Sequence, residues 1–310
     1  LTALITGILI GILFVRRQKT LKDPLLDLTL FSNKALSGAL VSLLAFSMLG
    51  GASLLFLGQF FQLVSGLTPL QAGLALVPGL VVSIAGMSLA PALARTIRPA
   101  YLIAGGLVLS IAGYLLYFLA EADSSPALLM TGFALASLGG GPLVSLGTNL
   151  VVGSAPPEKA GSAASLSQTS NEFGAGLGIA VVGTLGMAVY RDEISDAMPA
   201  GLSAGAVATV EESLAGAVSE AARLSGGAGD ALLSAARGAF ASGVSAVGLT
   251  AMILMAVIVV TVIALLRHIP AFGAPQGGDG QGPDASGGPS GEQSGEQSGE
   301  REAPVPSATG

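Results

Sequence analysis

The stretch "AGSAASLSQTSNEFGAGLGIAVVGTLGMAVY" (residues 160–190) carries one charged side chain, Glu172. At about 1.5 Å per residue, roughly 20 helical residues cross a hydrocarbon layer of about 30 Å, so the stretch is long enough to span a bilayer. In lipid such a segment is stable only as a helix or as part of a closed barrel, because no water is there to satisfy its backbone groups, and its length points to a helix. The fold then follows from how often such stretches recur. They recur at 1–15, 40–61, 72–94, 100–120, 127–152, 160–190 and 240–266. The expected fold class is therefore all-α transmembrane: a six-helix bundle preceded by one truncated helix. Leu1 already lies inside an apolar run, with no charged segment ahead of it to form a signal peptide, so the sequence is expected to be the C-terminal part of something longer.

Composition points the same way. Of 310 residues, 51% are hydrophobic and only 10% are charged, a balance suited to a lipid solvent. No cysteine is present, which excludes disulfides and thiolate metal sites. The formal charge of -6 arises mainly in the C-terminal tail and in the segment 191–237, which holds three Arg against seven acidic residues. It says nothing about substrate charge, and no nucleic-acid partner is expected.

Punctuation between the apolar stretches has recognisable mechanics. In "GLTPLQAG" (66–73), Thr68 can cap a helix, Pro69 can fill its first turn without losing a needed N–H, and Gln71 can close a capping box. Basic residues sort by side. Arg16, Arg17, Lys19, Lys22, Lys34, Arg95, Arg98, Lys159 and Arg267 fall in one set of loops and none in the alternate loops 64–70 and 121–126. The basic set is expected to be cytoplasmic, with the C-terminus, and the long segment 191–237 outside. Segment 16–38 reads as a basic linker whose "DPLLDLTLFSNK" (23–34) lies in the headgroup interface, and 39–267 as the bundle. From 268 to 310 a Gly, Pro, Ser, Gln and Glu composition predicts a disordered tail. Within 191–237, "VEESLAGAVSEAARL" is helix-compatible, predicting short surface helices.

Glu172 stands about twelve residues, roughly 18 Å, into its span. A charge at mid-membrane costs about 2.5–3.5 kcal/mol on insertion scales, so it is seldom carried without use. Its helical neighbours Ser165, Gln168, Ala175 and Gly176 are polar or small. Two readings follow: a carboxyl that takes up and releases a proton, or trades it for a cation; or a neutral carboxyl tying two helices together. Gln59 and Gln62 share a face, and Thr148 and Asn149 interrupt another span; a shared aqueous cavity and interhelical hydrogen bonds explain them equally well. Phe60, Phe61 and Phe173 can stack on an aromatic or cationic ligand, or simply face lipid and neighbouring helices. Gly174 and Gly178 form GxxxG, and "SLGGGP" (137–142), Pro78 and Pro91 are breakable; close packing and gating hinges are both open. There is no GxxxxGK[ST], HExxH or CxxC, and the single His cannot supply a nucleophile–base pair, so no enzyme, metal or cofactor is expected.

With "DPLLDLTLFSNKAL", "FLGQFFQLVSGLTPLQAGLALVPG", "LARTIRP" and "SAPPEKAGSAASLSQTSNEFGAGLGIAVVGTL", residues 1–267 resemble the C-terminal half of a fourteen-helix drug:proton antiporter of the major facilitator superfamily, the QacA/EmrB-like branch. That resemblance implies two six-helix bundles plus two central helices, the seven stretches here being the second central helix and the C-terminal bundle. It implies export of lipophilic, often cationic compounds across the plasma membrane, driven by protons, with no cofactor. Glu172 would couple the proton or cation, and Gln59, Gln62, Asn149, Gln168, Phe60 and Phe173 would line the substrate cavity. The third and sixth bundle helices, which here lack amides and acids, would lie away from the path. The partners implied are the bilayer, a small lipophilic substrate, protons and an N-terminal bundle missing from this sequence. Rival readings are an exporter or permease of one metabolite or natural product, and a truncated membrane protein that does not transport.

Overall fold

The computed structural model describes residues 6–7, 9–13, 16–17, 34–199, 202–225 and 227–267. The expected first span and interfacial linker lie largely outside the described residues, and the tail from 268 entirely so. Six helices are long and apolar enough to cross a membrane. They are α1 (Lys34–Gln59), α2 (Pro69–Leu93), α3 (Pro99–Phe118), α4 (Pro126–Gly153), α5 (Ala160–Asp196) and α8 (Gly227–Leu266), with the short α6 (Ala204–Glu212) and α7 (Leu214–Ala221) between the last two. The described residues contain no strand.

The turns are built as the sequence requires. Thr68 Oγ1 accepts from the Gln71 N–H at 3.3 Å, and Gln71 Oε1 accepts from the Thr68 N–H at 3.0 Å, so the expected capping box starts α2. Pro69, Pro99 and Pro126 each occupy a first turn, where a missing N–H forfeits nothing. One departure is local: α1 ends in a π-helical turn, Phe60–Val64, before the chain reverses through Gly66 at φ 70°.

Close contacts fix the topology. Gly174, Gly178 and Gly186 of α5 approach Leu44, Met48 and Phe56 of α1, each pair 130 positions apart, so these helices run parallel in register. Gly79 meets Phe133 and Gly86 meets Leu138, so α2 and α4 are parallel as well. By contrast α3 meets α4 through Gly106 against Gly139 and Gly113 against Gly132, and these are antiparallel. Consecutive long helices therefore alternate in direction, and α1–α3 and α4, α5, α8 form two three-helix repeats whose first and second helices exchange partners: α1 packs on α5, and α2 on α4. The result is a front row in the order α2, α4, α1, α5, backed by α3 and α8, which pack on each other. The third and sixth helices thus stand behind the row that carries the amides and Glu172.

Two helices run past their apolar stretches. α5 continues to Asp196, and α8 begins at Gly227 rather than near Phe240. The added turns carry Arg191, Asp192, Glu193, Asp196, Asp230 and Arg237, so Glu172 is not the sole charged residue on these helices, although it is the one within the apolar part. The projecting ends hold a small cap. Tyr190 Oη donates to the Val210 carbonyl at 2.8 Å, Arg191 Nε donates to the Glu211 carbonyl at 3.2 Å, and Ile194, Val210, Leu214, Ala217 and Leu232 are all fully buried.

Candidate functional site

The α5 helix has two distinct sides. Gly174 and Gly178 are buried where the backbones of α1 and α5 nearly touch, and the Ser47 hydroxyl of α1 donates to the Asn171 carbonyl at the same seam. The opposite side is open. There Ser165, Gln168, Thr169, Glu172 and Phe173 line a groove of about 680 Å³. Gln168 Nε2 donates to Glu172 Oε1 at 2.9 Å, one helical turn away on the same exposed side. Phe173 is 62% exposed beside it. A carboxylate with an amide below it and an aromatic face alongside can receive a proton, or attract an organic cation through charge and ring quadrupole together.

Gln168 also borders a second, narrower cleft of about 80 Å³ between α1, α4 and α5, with Thr148, Ser167 and Asn171. The Thr148 and Ser167 hydroxyls lie 3.4 Å apart across it. Asn149 is exposed one position further along α4. Thr148 is therefore brought beside Gln168, one helical turn from Glu172 and Phe173, whereas Asn149 lines neither space. Ser167 was not singled out from the sequence; as one of several hydroxyl residues in the run 162–170 it carries no distinguishing signal.

The other candidates lie elsewhere. By the register of α1 on α5, Gln59 stands about seventeen residues, roughly 25 Å, along the axis from Glu172. Gln62 is exposed and donates to the Gly58 carbonyl of its own helix at 3.2 Å, and Gln59 is half-buried. Phe60 corrects the expectation of a cavity-lining aromatic: with Phe61 it is 0% exposed, turned into the core by the π-helical turn that begins there. Wider turns place successive side chains differently from the regular α spacing on which the expectation rested. Among the described residues no group of three His, Asp or Glu side chains could hold a metal ion.

Comparisons with known proteins bear on this geometry. Residues 1–179 match the model of the Major Facilitator Superfamily. A multidrug efflux pump of Mycolicibacterium smegmatis, LfrA, is 35% identical over 244 residues, 78% of this chain and 48% of the relative. The methyl viologen resistance protein SmvA of Salmonella typhimurium is 33% identical over 238 residues, 76% of this chain and 48% of the relative. A tetracenomycin C resistance and export protein of Streptomyces glaucescens is 29% identical over 174 residues, 56% of this chain and 32% of the relative. The chain spans about half the length of the first two of these relatives.

Proposed function

The chain belongs to the major facilitator superfamily, and on that premise we propose that it is the C-terminal half of a proton-coupled exporter of lipophilic, often cationic compounds, with Glu172 as the coupling group. The observation that carries this reading is the placement of Glu172. It is the one charged residue between Lys159 and Arg191, it lies mid-span, and it faces an open groove with an exposed phenyl ring beside it. Membership of a transporter family and the multidrug efflux and methyl viologen resistance named for relatives support export of foreign compounds. In this reading the basic ends of the helices, with Arg95, Arg98, Lys159 and Arg267, are cytoplasmic in the plasma membrane, and the α6–α7 cap is outside.

The mechanism follows from one carboxyl serving two ligands. A bare carboxylate in mid-membrane is unfavourable by about 2.5–3.5 kcal/mol, so the site favours being either protonated or paired with a cation. A proton and an organic cation therefore compete for Glu172. The cation enters from the cytoplasm or inner leaflet as the proton leaves; after the bundles rock, a proton entering from outside displaces the cation outward. A second bundle of similar size closes over the front row, which accords with the chain spanning half the length of its relatives. Gln168 lines the path at the Glu172 level, and Gln62 lies near its outer end.

The test is Glu172→Gln in the full-length protein. Proton-driven efflux of tetraphenylphosphonium is expected to be abolished while membrane abundance stays near the parent level, because the side chain is exposed and accepts a hydrogen bond from Gln168, which an amide can still accept. Unchanged efflux would refute the coupling role. A second reading, export of a single natural product, is favoured by the one-compound name of the Streptomyces relative. It would be supported by protection against one compound in a chemically varied panel.

A further inference from the structure

Where the first repeat meets α4 of the second, away from the Glu172 groove, α1, α2, α3 and α4 enclose a pocket of about 130 Å³. Its inner end carries Tyr114, Tyr117 and Ser53, 3%, 0% and 3% exposed, and Ser83 and Ser137 are half-buried nearer the surface. Phe46 and Phe133 flank it, and Gly50 opens on the front row. No Asp, Glu, Lys, Arg or His lines it. One hydroxyl has nothing to bond: Tyr117 Oη is buried without a hydrogen-bond partner in the protein, and the buried Ser53 Oγ has no partner beyond its interaction with the Tyr114 hydroxyl. A buried polar group left unsatisfied is unfavourable by about 1–3 kcal/mol, so the unpartnered Tyr117 hydroxyl, sharing one space with the Ser53 and Tyr114 hydroxyls, implies an occupant that bonds it.

We propose that this pocket is a binding subsite for the hydroxyl or carbonyl end of a neutral lipophilic compound, distinct from the cation site at Glu172. The chemistry is set by what the walls offer and what they lack. Hydroxyls both donate and accept, and so suit an alcohol, phenol or ketone. With no carboxylate present, a permanent cation gains only ring faces there and gives up its hydration, whereas a neutral group does not. The volume takes about four waters when the site is empty, or one small polar group anchored by its ring between Phe46 and Phe133. The pocket is also placed to receive something from the transport path. Val144 borders both it and the Thr148–Ser167 cleft, and Gln168 borders both that cleft and the Glu172 groove. In the α1 register its mouth at Gly50 lies about eight residues, roughly 12 Å, beyond the Glu172 level. The proposal rests on the transport reading for its access from the front row, and it gives one transporter two recognition chemistries on neighbouring surfaces.

The test measures equilibrium binding to the purified full-length protein, without transport, using 1-naphthol as a neutral hydroxyl probe and tetraphenylphosphonium as a cation lacking hydrogen-bonding groups. Tyr117→Phe removes an oxygen that has no protein partner, and Ser53→Ala one that meets only the Tyr114 hydroxyl, so melting temperatures should stay close to the parent. Each is expected to weaken 1-naphthol binding about three- to tenfold while leaving tetraphenylphosphonium unaffected. Ser83→Leu, which fills the outer part of the pocket, should abolish 1-naphthol binding alone. Unchanged 1-naphthol affinity in all three variants would mean that water alone occupies the pocket, and would overturn the proposal. So would equal weakening of both probes by Tyr117→Phe, because the retained ring would then be reporting a general packing change. Failure of the Glu172 reading would show separately, as normal tetraphenylphosphonium efflux in Glu172→Gln, and would leave the 1-naphthol result standing.

Discussion

Gly178→Ala should prise α5 away from α1 at the end of the front row, and the size of the effect can be worked from the α1–α5 seam. A methyl carbon built on Gly178 would stand 2.5 Å from the Met48 carbonyl carbon and 2.7 Å from its Cα, and closer still to the carbonyl oxygen. Ordinary carbon–carbon contact lies at about 3.5–4.0 Å, so the helices must part by about 1 Å. The obstructing atoms are backbone, so no side-chain rotation relieves the clash. Overpacking of this kind is destabilising by about 1–3 kcal/mol, against which the better helix propensity of Ala returns at most about 1 kcal/mol. Gly176, two residues earlier on the exposed side, has no atom within 4 Å of its built Cβ and serves as the control. In the full-length protein, melting followed by size-exclusion in detergent should show Gly178→Ala several degrees below the parent, at about 2–4 °C per kcal/mol, and Gly176→Ala equal to or above it. Equal stability of the two variants would refute the seam as described.

Two further predictions concern the ends of the bundle. In a background otherwise free of cysteine, Ser124→Cys in the α3–α4 turn should react with a membrane-impermeant maleimide added outside intact cells, and Thr96→Cys in the α2–α3 turn only after permeabilisation; the reverse pattern would invert the proposed orientation. Arg237 Nε of α8 donates to the Leu63 carbonyl at 3.1 Å, inside the π-helical turn. Because bonds to charged donors contribute about 1.5–3 kcal/mol and this side chain is only half-buried, Arg237→Met should cost about 1 kcal/mol. It should also speed amide hydrogen exchange at residues 60–64 while leaving the rest of α1 protected; unchanged exchange there would remove the role of Arg237.

What the sequence made legible were features carried by length and by single residues in fixed places. Apolar runs long enough to cross a bilayer became α1–α5 and α8, and Thr68, Pro69 and Gln71 formed the capping box their spacing implied. Glu172 stood out because a carboxylate in an apolar run is rare, and it does face open space. Features that depend on which helix meets which were not legible. The paired repeats show only in contacts between residues far apart in sequence, such as Leu44 with Gly174 and Gly79 with Phe133, and no local pattern encodes them. Phe60 and Phe61 read like any aromatic pair until the π-helical turn sets their direction. The Ser53, Tyr117 and Ser137 hydroxyls sit on three helices, each an isolated polar residue of the kind any span tolerates, and only packing brings them to one pocket. The extensions of α5 and α8 were hidden because Ala, Gly and Ser form helix without the hydrophobicity that marks a span.

The parallel seam of α1 and α5 also sets a schedule for making the protein. A chain elongates at about 5–20 residues per second, so the α1 side of the seam leaves the ribosome roughly 6–26 s before the glycines of α5 that are to meet it. Neither three-helix repeat can complete its front row alone, since α1 awaits α5 and α2 awaits α4. During that interval the nascent α1 and α2 reside in the bilayer as separate helices, their contact faces covered by lipid tails or by the insertion machinery, and the bundle assembles by lateral docking late in synthesis.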